Sequence, residues 1–192
     1  MDSFDRDKKK WIFFIVRLIM NQPKKWVLIT GASTGICRAI AEYLANNGFN
    51  VYGGVRKDKD FEELDKLSNI MPIKLDVTIK DSIEHAFNNV KNQTRGLYAL
   101  INNAGIARAG PLIDLPIQDL QDQFNVNLFG VHRVTRKFFP LLKTNKGRII
   151  MISSDSGFFA TPFFGPYCSS KFALEGYSDS LRRELMLYDM KV

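Results

Sequence analysis

From Trp26 onward the chain alternates short apolar runs with longer stretches in which apolar positions recur every three or four residues. The short runs suit strands buried on both faces, and the longer stretches suit amphipathic helices packed over them. Five strands are expected, over Trp26 to Thr30, Asn50 to Val55, Met71 to Leu75, Leu97 to Ile101 and Arg148 to Ser153. Helices are expected over Gly35 to Asn47, Ile79 to Asn92 and Ile117 to Leu142, with a shorter one around Phe61 to Leu67 and a last one from Tyr167 to about Tyr188. Strands alternating with helices form βαβ units, so the expected fold class is α/β, a doubly wound parallel sheet with helices on both faces. No repeat or linker divides residues 26–192, which are expected to form one domain after an extension over 1–25.

Composition adds limits rather than a function. Among 192 residues, 45% are hydrophobic and 24% charged, which excludes disorder and a membrane-embedded body. Lysine and arginine outnumber aspartate and glutamate by 27 to 20, a formal charge of +7 that favours anionic ligands such as a phosphorylated cofactor. The basic residues are not clustered with interleaved aromatics in any recognised module, so no nucleic-acid role is expected. Cys37 and Cys168 are the only cysteines and stand far apart, which argues for a reducing, cytoplasmic setting without disulfides. His85 and His132 fall on predicted helices without companion ligands, so no metal is expected.

The amino-terminal stretch is of a different kind. Lys8, Lys9 and Lys10 lead into an apolar run from Trp11 to Met20, broken by Arg17 and shorter than the roughly 20 residues that span a bilayer. No small-residue cleavage site follows, which argues against export. Two readings stay open. Residues 8–20 make peripheral contact with anionic lipid, or they are an upstream extension with translation starting at Met20.

The first strand ends in Thr30-Gly31-Ala32-Ser33-Thr34-Gly35-Ile36-Cys37, and a helix follows at once. Glycines there let the chain turn tightly and bring backbone N–H groups against a pyrophosphate at the positive end of the helix, the dinucleotide-binding arrangement of a Rossmann-type fold. Asn102-Asn103-Ala104-Gly105 follows the fourth strand, and Asn127 stands in Asn125-Val126-Asn127-Leu128-Phe129-Gly130. Ile152-Ser153-Ser154 closes the fifth strand, and Tyr167-Cys168-Ser169-Ser170-Lys171 opens the last helix. Tyrosine and lysine four apart on a helix share a face. A free tyrosine titrates near pH ~10, and a neighbouring ammonium favours its phenolate.

In this order the motifs resemble the short-chain dehydrogenase/reductase family, over the chain from about Trp26 to its end. The look is nearest to members acting on retinoids, steroids or hydroxybutyrate, carried by Phe172-Ala173-Leu174-Glu175-Gly176 and Ser178-Asp179-Ser180-Leu181-Arg182. One position departs from the pattern: Cys37 stands where the family carries the third glycine of its turn. The resemblance implies an NAD(P)-dependent oxidoreductase that interconverts a secondary alcohol and a ketone. Tyr167 would act as general acid and base, Ser154 would polarise the substrate oxygen, Lys171 would hold the nicotinamide ribose, and Asn127 would connect a proton relay through water. It also implies that Gly31, Ser33, Thr34, Gly35 and Ile36 border the cofactor, with Asp76 and Val77 at its adenine and Asn103, Ala104 and Gly105 along the cleft, beside Tyr167 and Lys171. Long helices at 117–142 and 167–188 would join copies into a homodimer or homotetramer.

An NAD site usually carries an acid at the end of the second strand. Here Val55 is followed by Arg56 and Lys57, with no carboxylate until Asp58. Arg56, with Ser33 and Lys57, would pair with a 2′-phosphate, so NADP is favoured over NAD. Phe158, Phe159, Phe163 and Phe164 lie between Ser154 and Tyr167 and suit an apolar pocket for a lipophilic small-molecule substrate. Members of the family continue for further strands, so the chain is expected to be cut short at Val192, leaving its fifth strand as a sheet edge. The rival expectation is a truncated or non-catalytic dinucleotide-binding module.

Overall fold

The computed structural model describes residues 25–192, and the basic and apolar stretch discussed above lies outside the described residues. The elements are β1 (Trp26–Thr30), α1 (Gly35–Asn46), β2 (Asn50–Val55), α2 (Asp58–Asp65), β3 (Ile70–Lys74), α3 (Lys80–Gln93), β4 (Ala99–Asn102), α4 (Ile117–Phe124), α5 (Val131–Thr144), β5 (Arg148–Met151) and α6 (Gly165–Leu185). A π-helical turn, Asn125–Gly130, joins α4 to α5, and 3₁₀ turns occupy Asp155–Gly157 and Met186–Tyr188.

The five strands form one parallel sheet in the order β3-β2-β1-β4-β5. Side chains alternate across it as a strand period of two demands. Val27 and Ile29 of β1, Val51 and Val55 of β2, and Ala99 and Ile101 of β4 enter one core with Cys37, Ala41 and Ala45 of α1. Leu28, Tyr52 and Leu100 enter the other, with Ile83 and Val90 of α3 and Val134, Phe138 and Leu142 of α5. Leu28 and Leu100 have no exposure, and burying such a side chain is worth about 1.5–3 kcal/mol. Two cores on opposite faces make the sheet doubly wound. Chain order reverses between β1 and β4, which opens a crevice at their carboxyl ends.

The differences from the expected boundaries have local causes. Leu97 is buried and Tyr98 half-buried, both strand-like, but their N–H groups go to the Leu141 and Trp26 carbonyls and β4 begins only at Ala99. The fifth strand stops at Met151 because the Ile152 carbonyl accepts from Lys171 Nζ at 2.7 Å and Ser154 already caps the following 3₁₀ turn. Helix α2 starts at Asp58, earlier than the apolar pattern suggests, with Asp58 and Asp60 in its first turn where carboxylates favour the helix dipole. Helix α6 begins two residues before Tyr167, with Pro166 in its first turn. Along the outer side of β5, the Ile149 N–H donates to the Lys191 carbonyl at 2.8 Å, and Arg148 and Lys191 form a parallel bridge.

Candidate active site

The ends of β1 and β4 are tied together by side chains of the two turns. Thr30 Oγ1 accepts from the N–H groups of Asn103 and Ala104, both at 3.0 Å, and Asn103 Nδ2 donates to the carbonyls of Thr30 (3.2 Å) and Gly31 (3.1 Å). Gly31 has φ +68°, and a Cβ there would stand 3.0 Å from Ala104 Cα. Only glycine permits both the backbone conformation and that approach. Gly35, at φ +61°, faces open space at the start of α1. Thr34 precedes it as N-cap without a side-chain bond. The first N–H groups of α1 are thus open to an anion.

A cleft of about 430 Å³ runs beneath this turn, bordered by Gly31, Ser33 and Thr34, by Arg56, Lys57 and Asp60 beyond β2, by Asp76, Val77 and Thr78 beyond β3, and by Asn103, Ala104, Gly105 and Ile106 beyond β4. Nine of the expected cofactor residues therefore meet around one space: Gly31, Ser33, Thr34, Arg56, Asp76, Val77, Asn103, Ala104 and Gly105. Its position at the strand-order reversal, the glycine turn above it and the open helix N-terminus beside it fit a dinucleotide. Ile36 turns its side chain outward, 70% exposed, so only its backbone serves the turn. Asp76 uses Oδ1 to accept from the N–H and hydroxyl of Thr78, at 2.8 and 2.6 Å, a local turn that also fixes its carboxylate at the cleft edge. Asp58, the first carboxylate after β2, is ion-paired with Lys74, which holds it below the usual carboxylate range. Cys37, in the place of the family's third glycine, is buried among Val27, Ile29 and Ala41, and burial pushes its thiol up to about 11.

The expected reacting residues lie on α6 and the elements against it. Lys171 is 6% exposed, its ammonium 5.6 Å from the centre of the Tyr167 ring one turn earlier. Burial lowers its pKa from the ordinary lysine value, opposed by the Glu175 carboxylate one turn later. Tyr167 is half-buried. Asn127 is buried on the π turn, and its Nδ2 donates to Ser170 Oγ at 3.1 Å, which joins that turn to α6. Ser154 Oγ donates to Asp155 Oδ1 at 2.7 Å and accepts the Ser156 N–H at 3.1 Å, so its hydroxyl serves the 3₁₀ turn in this conformation. The Ser154 hydroxyl, together with the Ser156 N–H that also donates to Asp155 Oδ1 at 2.8 Å, holds the Asp155 carboxyl below its ordinary range. Phe158, Phe159, Phe163 and Phe164 are all exposed, at 42–76%, between that turn and Tyr167. Sequence reasoning missed Thr30, although a hydroxyl directly before the glycine turn was its signal. It also missed Gln123, an amide inside an amphipathic stretch that carries no motif.

Among the described residues, no group of three or more histidines, cysteines or carboxylates could hold a metal. No helix among them is long and apolar enough to cross a membrane.

Comparison with known proteins agrees with this geometry. The family model for short chain dehydrogenases matches residues 25–192. The NADPH-dependent 3-dehydrocapnine reductase of Ornithobacterium rhinotracheale is 38% identical over 179 residues, 88% of this chain and 62% of that protein. Mouse retinol dehydrogenase 16 is 38% identical over 189 residues, 94% of this chain and 58% of that protein. The crystal structure of a short chain dehydrogenase from Burkholderia cenocepacia in complex with NADP superposes with a TM-score of 0.80 at 29% identity, covering 88% of this chain and 70% of that one. The chain thus spans about three fifths of the length of the curated relatives named here. Motifs, topology and matched residues agree: the chain belongs to the short-chain dehydrogenase family.

Proposed function

We propose that this chain carries the cofactor and proton-transfer machinery of an NADP(H)-dependent oxidoreductase that interconverts a lipophilic secondary alcohol and a ketone. The observation that carries the reading is the buried ammonium of Lys171, seated 2.7 Å from the Ile152 carbonyl and beneath the Tyr167 ring. Burial disfavours its charge, and the Ile152 carbonyl and the Glu175 carboxylate one turn later offset that cost, which leaves the ammonium available to a phenolate beside it.

The reduced nicotinamide, when bound, supplies the hydride that goes to the ketone carbon. Tyr167 donates its phenolic proton to the ketone oxygen, which leaves an alcohol and a phenolate, and Lys171 stabilises that phenolate electrostatically. In the oxidative direction the same phenolate takes the alcohol proton. Ser154 polarises the substrate oxygen after releasing Asp155, and Asn127, anchored to Ser170, orients the relay that returns a proton from solvent. Gly31, Ser33, Thr34, Gly35 and the Ile36 N–H take the pyrophosphate side, Asp76 and Val77 the adenine, and Asn103, Ala104 and Gly105 the ribose side of the nicotinamide.

Arg56 and Lys57 are exposed at the adenosine end and form no ion pair among the described residues, whereas Asp58 is taken by Lys74. Both facts favour a 2′-phosphate over bare ribose hydroxyls. Similarity to a reductase named as NADPH-dependent and to a structure holding NADP supports the same choice. The four exposed phenylalanines suit an apolar substrate, and the similarity to a retinol dehydrogenase agrees with that class. Phe129 on the π turn and Phe172 on α6, 50% and 45% exposed, suit contact between copies.

A second reading, a dinucleotide-binding module without turnover, is favoured by the engaged Ser154 hydroxyl. Titration with NADPH and with NADH, followed by a panel of ketones, separates the two. Oxidation of NADPH by apolar ketones, with Arg56→Ala weakening NADPH about tenfold or more and leaving NADH unchanged, is the expected result for the enzyme. Binding without oxidation selects the module, and an NADH preference that survives Arg56→Ala removes the cofactor assignment.

A further inference from the structure

Gln123 has no solvent exposure, and neither the family motifs nor the proton relay uses it. A buried amide is costly unless its polar atoms are bonded. Both of its ends are. Nε2 donates to the Ile106 carbonyl at 2.5 Å and Oε1 accepts the Arg108 N–H at 2.7 Å. One turn later, Asn127 grips the same residue by both backbone groups, accepting the Ile106 N–H at 2.9 Å and donating to its carbonyl at 3.0 Å. Two successive amides on one helix face thus clamp three residues of a loop that has no ladder partner.

That loop joins the two parts of the site. Ile106 borders the cofactor cleft. Four residues later, the Gly110 N–H donates to the Phe163 carbonyl at 2.7 Å, inside the apolar segment before Tyr167. Leu112 then packs so closely over Gly165 that a Cβ there would meet its side chain at 2.5 Å. A displacement of Ile106–Arg108 is therefore transmitted both to the cofactor cleft and to the start of α6.

We infer that Gln123 is a positioning residue: with Asn127 it fixes the Ile106–Gly110 segment, so that the cofactor cleft and the apolar wall before Tyr167 keep one register. This rests on the reading of Tyr167 as the proton donor. A core amide that merely stabilised the fold would lower stability, cofactor binding and turnover together. A positioning residue separates them.

The test compares Gln123→Leu and Gln123→Glu with the parent protein. Gln123→Leu keeps most of the volume and loses both bonds. Its kcat with an apolar ketone is expected to fall about tenfold or more, since small misplacements of reacting groups carry large penalties, while the NADPH dissociation constant stays within about twofold. In Gln123→Glu, the neutral acid can still donate to the Ile106 carbonyl and accept from Arg108 N–H, whereas the carboxylate cannot donate. The ratio of variant to parent kcat/KM is therefore expected to climb toward one as pH falls through the titration of the new carboxyl. Arg108, whose N–H bonds Gln123, is itself paired with Asp119 and Asp122 on α4, and α6, which packs against α4, carries the titratable Tyr167 and Lys171. They are common to both proteins, and their own titrations cancel in the ratio to first order.

Equal losses of cofactor binding and turnover without recovery at low pH would overturn the inference, as would a Gln123→Leu protein with unchanged kcat. Amide hydrogen exchange gives a readout independent of turnover: Arg108 N–H should exchange faster in Gln123→Leu. Should the parent reduce no ketone, the proposed function fails, and the clamp is then judged on that exchange alone, with unchanged protection ruling it out.

Discussion

The two halves of the cleft are built in different ways. On the cofactor side the site is mainly backbone: the glycine turn and the Asn-Asn-Ala-Gly turn are cross-bonded through Thr30 and Asn103, directly on the buried ends of two central strands. On the reacting side it is side chains, carried by α6, a π turn and a 3₁₀ turn and joined by a few polar links, with four phenylalanines left exposed around them. The two turns of the first half cannot be altered without disturbing the core. The second can lose its chemistry and stay folded. Function and stability are therefore expected to respond to different residues within one small site.

The sharpest separation should come from Tyr167→Phe. It removes one oxygen from a half-buried ring, and kcat is expected to fall by about 10³-fold, within the range for loss of a general acid, with the NADPH dissociation constant unchanged within about twofold. Steady-state kinetics beside a binding titration checks this, and a comparable loss of binding would abolish the contrast. The same half should show a pH limit set by Lys171. Burial moves its pKa below that of a free lysine, about 10.4, so the ammonium is lost at lower pH than in the unfolded chain. Activity that needs this charge falls as pH rises through that folded-state value, and Lys171→Arg, which does not titrate, should remove the limb from whatever activity remains.

Next in size is Gly31→Ala. The new Cβ is forced into a left-handed conformation against Ala104 Cα, so unfolding free energy should drop by about 2 kcal/mol, measured by denaturant titration, with weaker NADPH binding alongside. Tyr167→Phe and Gly31→Ala should thus fail in opposite assays. The smallest effect is expected at Cys37→Gly, which restores the family's glycine and removes a buried thiol from the core behind the turn. Stability should fall by about 1 kcal/mol, from helix propensity and lost packing, and NADPH affinity should be equal to or better than that of the parent. Markedly weaker binding would show that the thiol helps to shape the turn.

The cofactor half was also the legible half. A glycine turn after a strand and an asparagine pair after another are local patterns, and the parallel register that brings them together follows from the βαβ order. The reacting half was legible as residue types and less so as contacts. Nothing in the chain around Ser154 indicates that its hydroxyl turns to Asp155, because that choice depends on a 3₁₀ turn of three residues. Nothing around Gln123 indicates a clamp either, since its partners lie 15 and 17 residues earlier in a loop without periodicity. Residues 117–142 read as one helix because helical periodicity continues on both sides of the turn, which shifts its phase by one residue without interrupting it, yet it is there that Asn127 sits.

That turn has a phase consequence. A π turn accommodates one residue more than an α-turn would, so the sequence positions that follow it are shifted by one residue, about 100° of phase, from those of an uninterrupted α-helix. Deleting one residue between Gln123 and Asn127 would bring the two amides out of the four-residue spacing by which both now reach Ile106. A regular helix here would be the better spine and the poorer instrument.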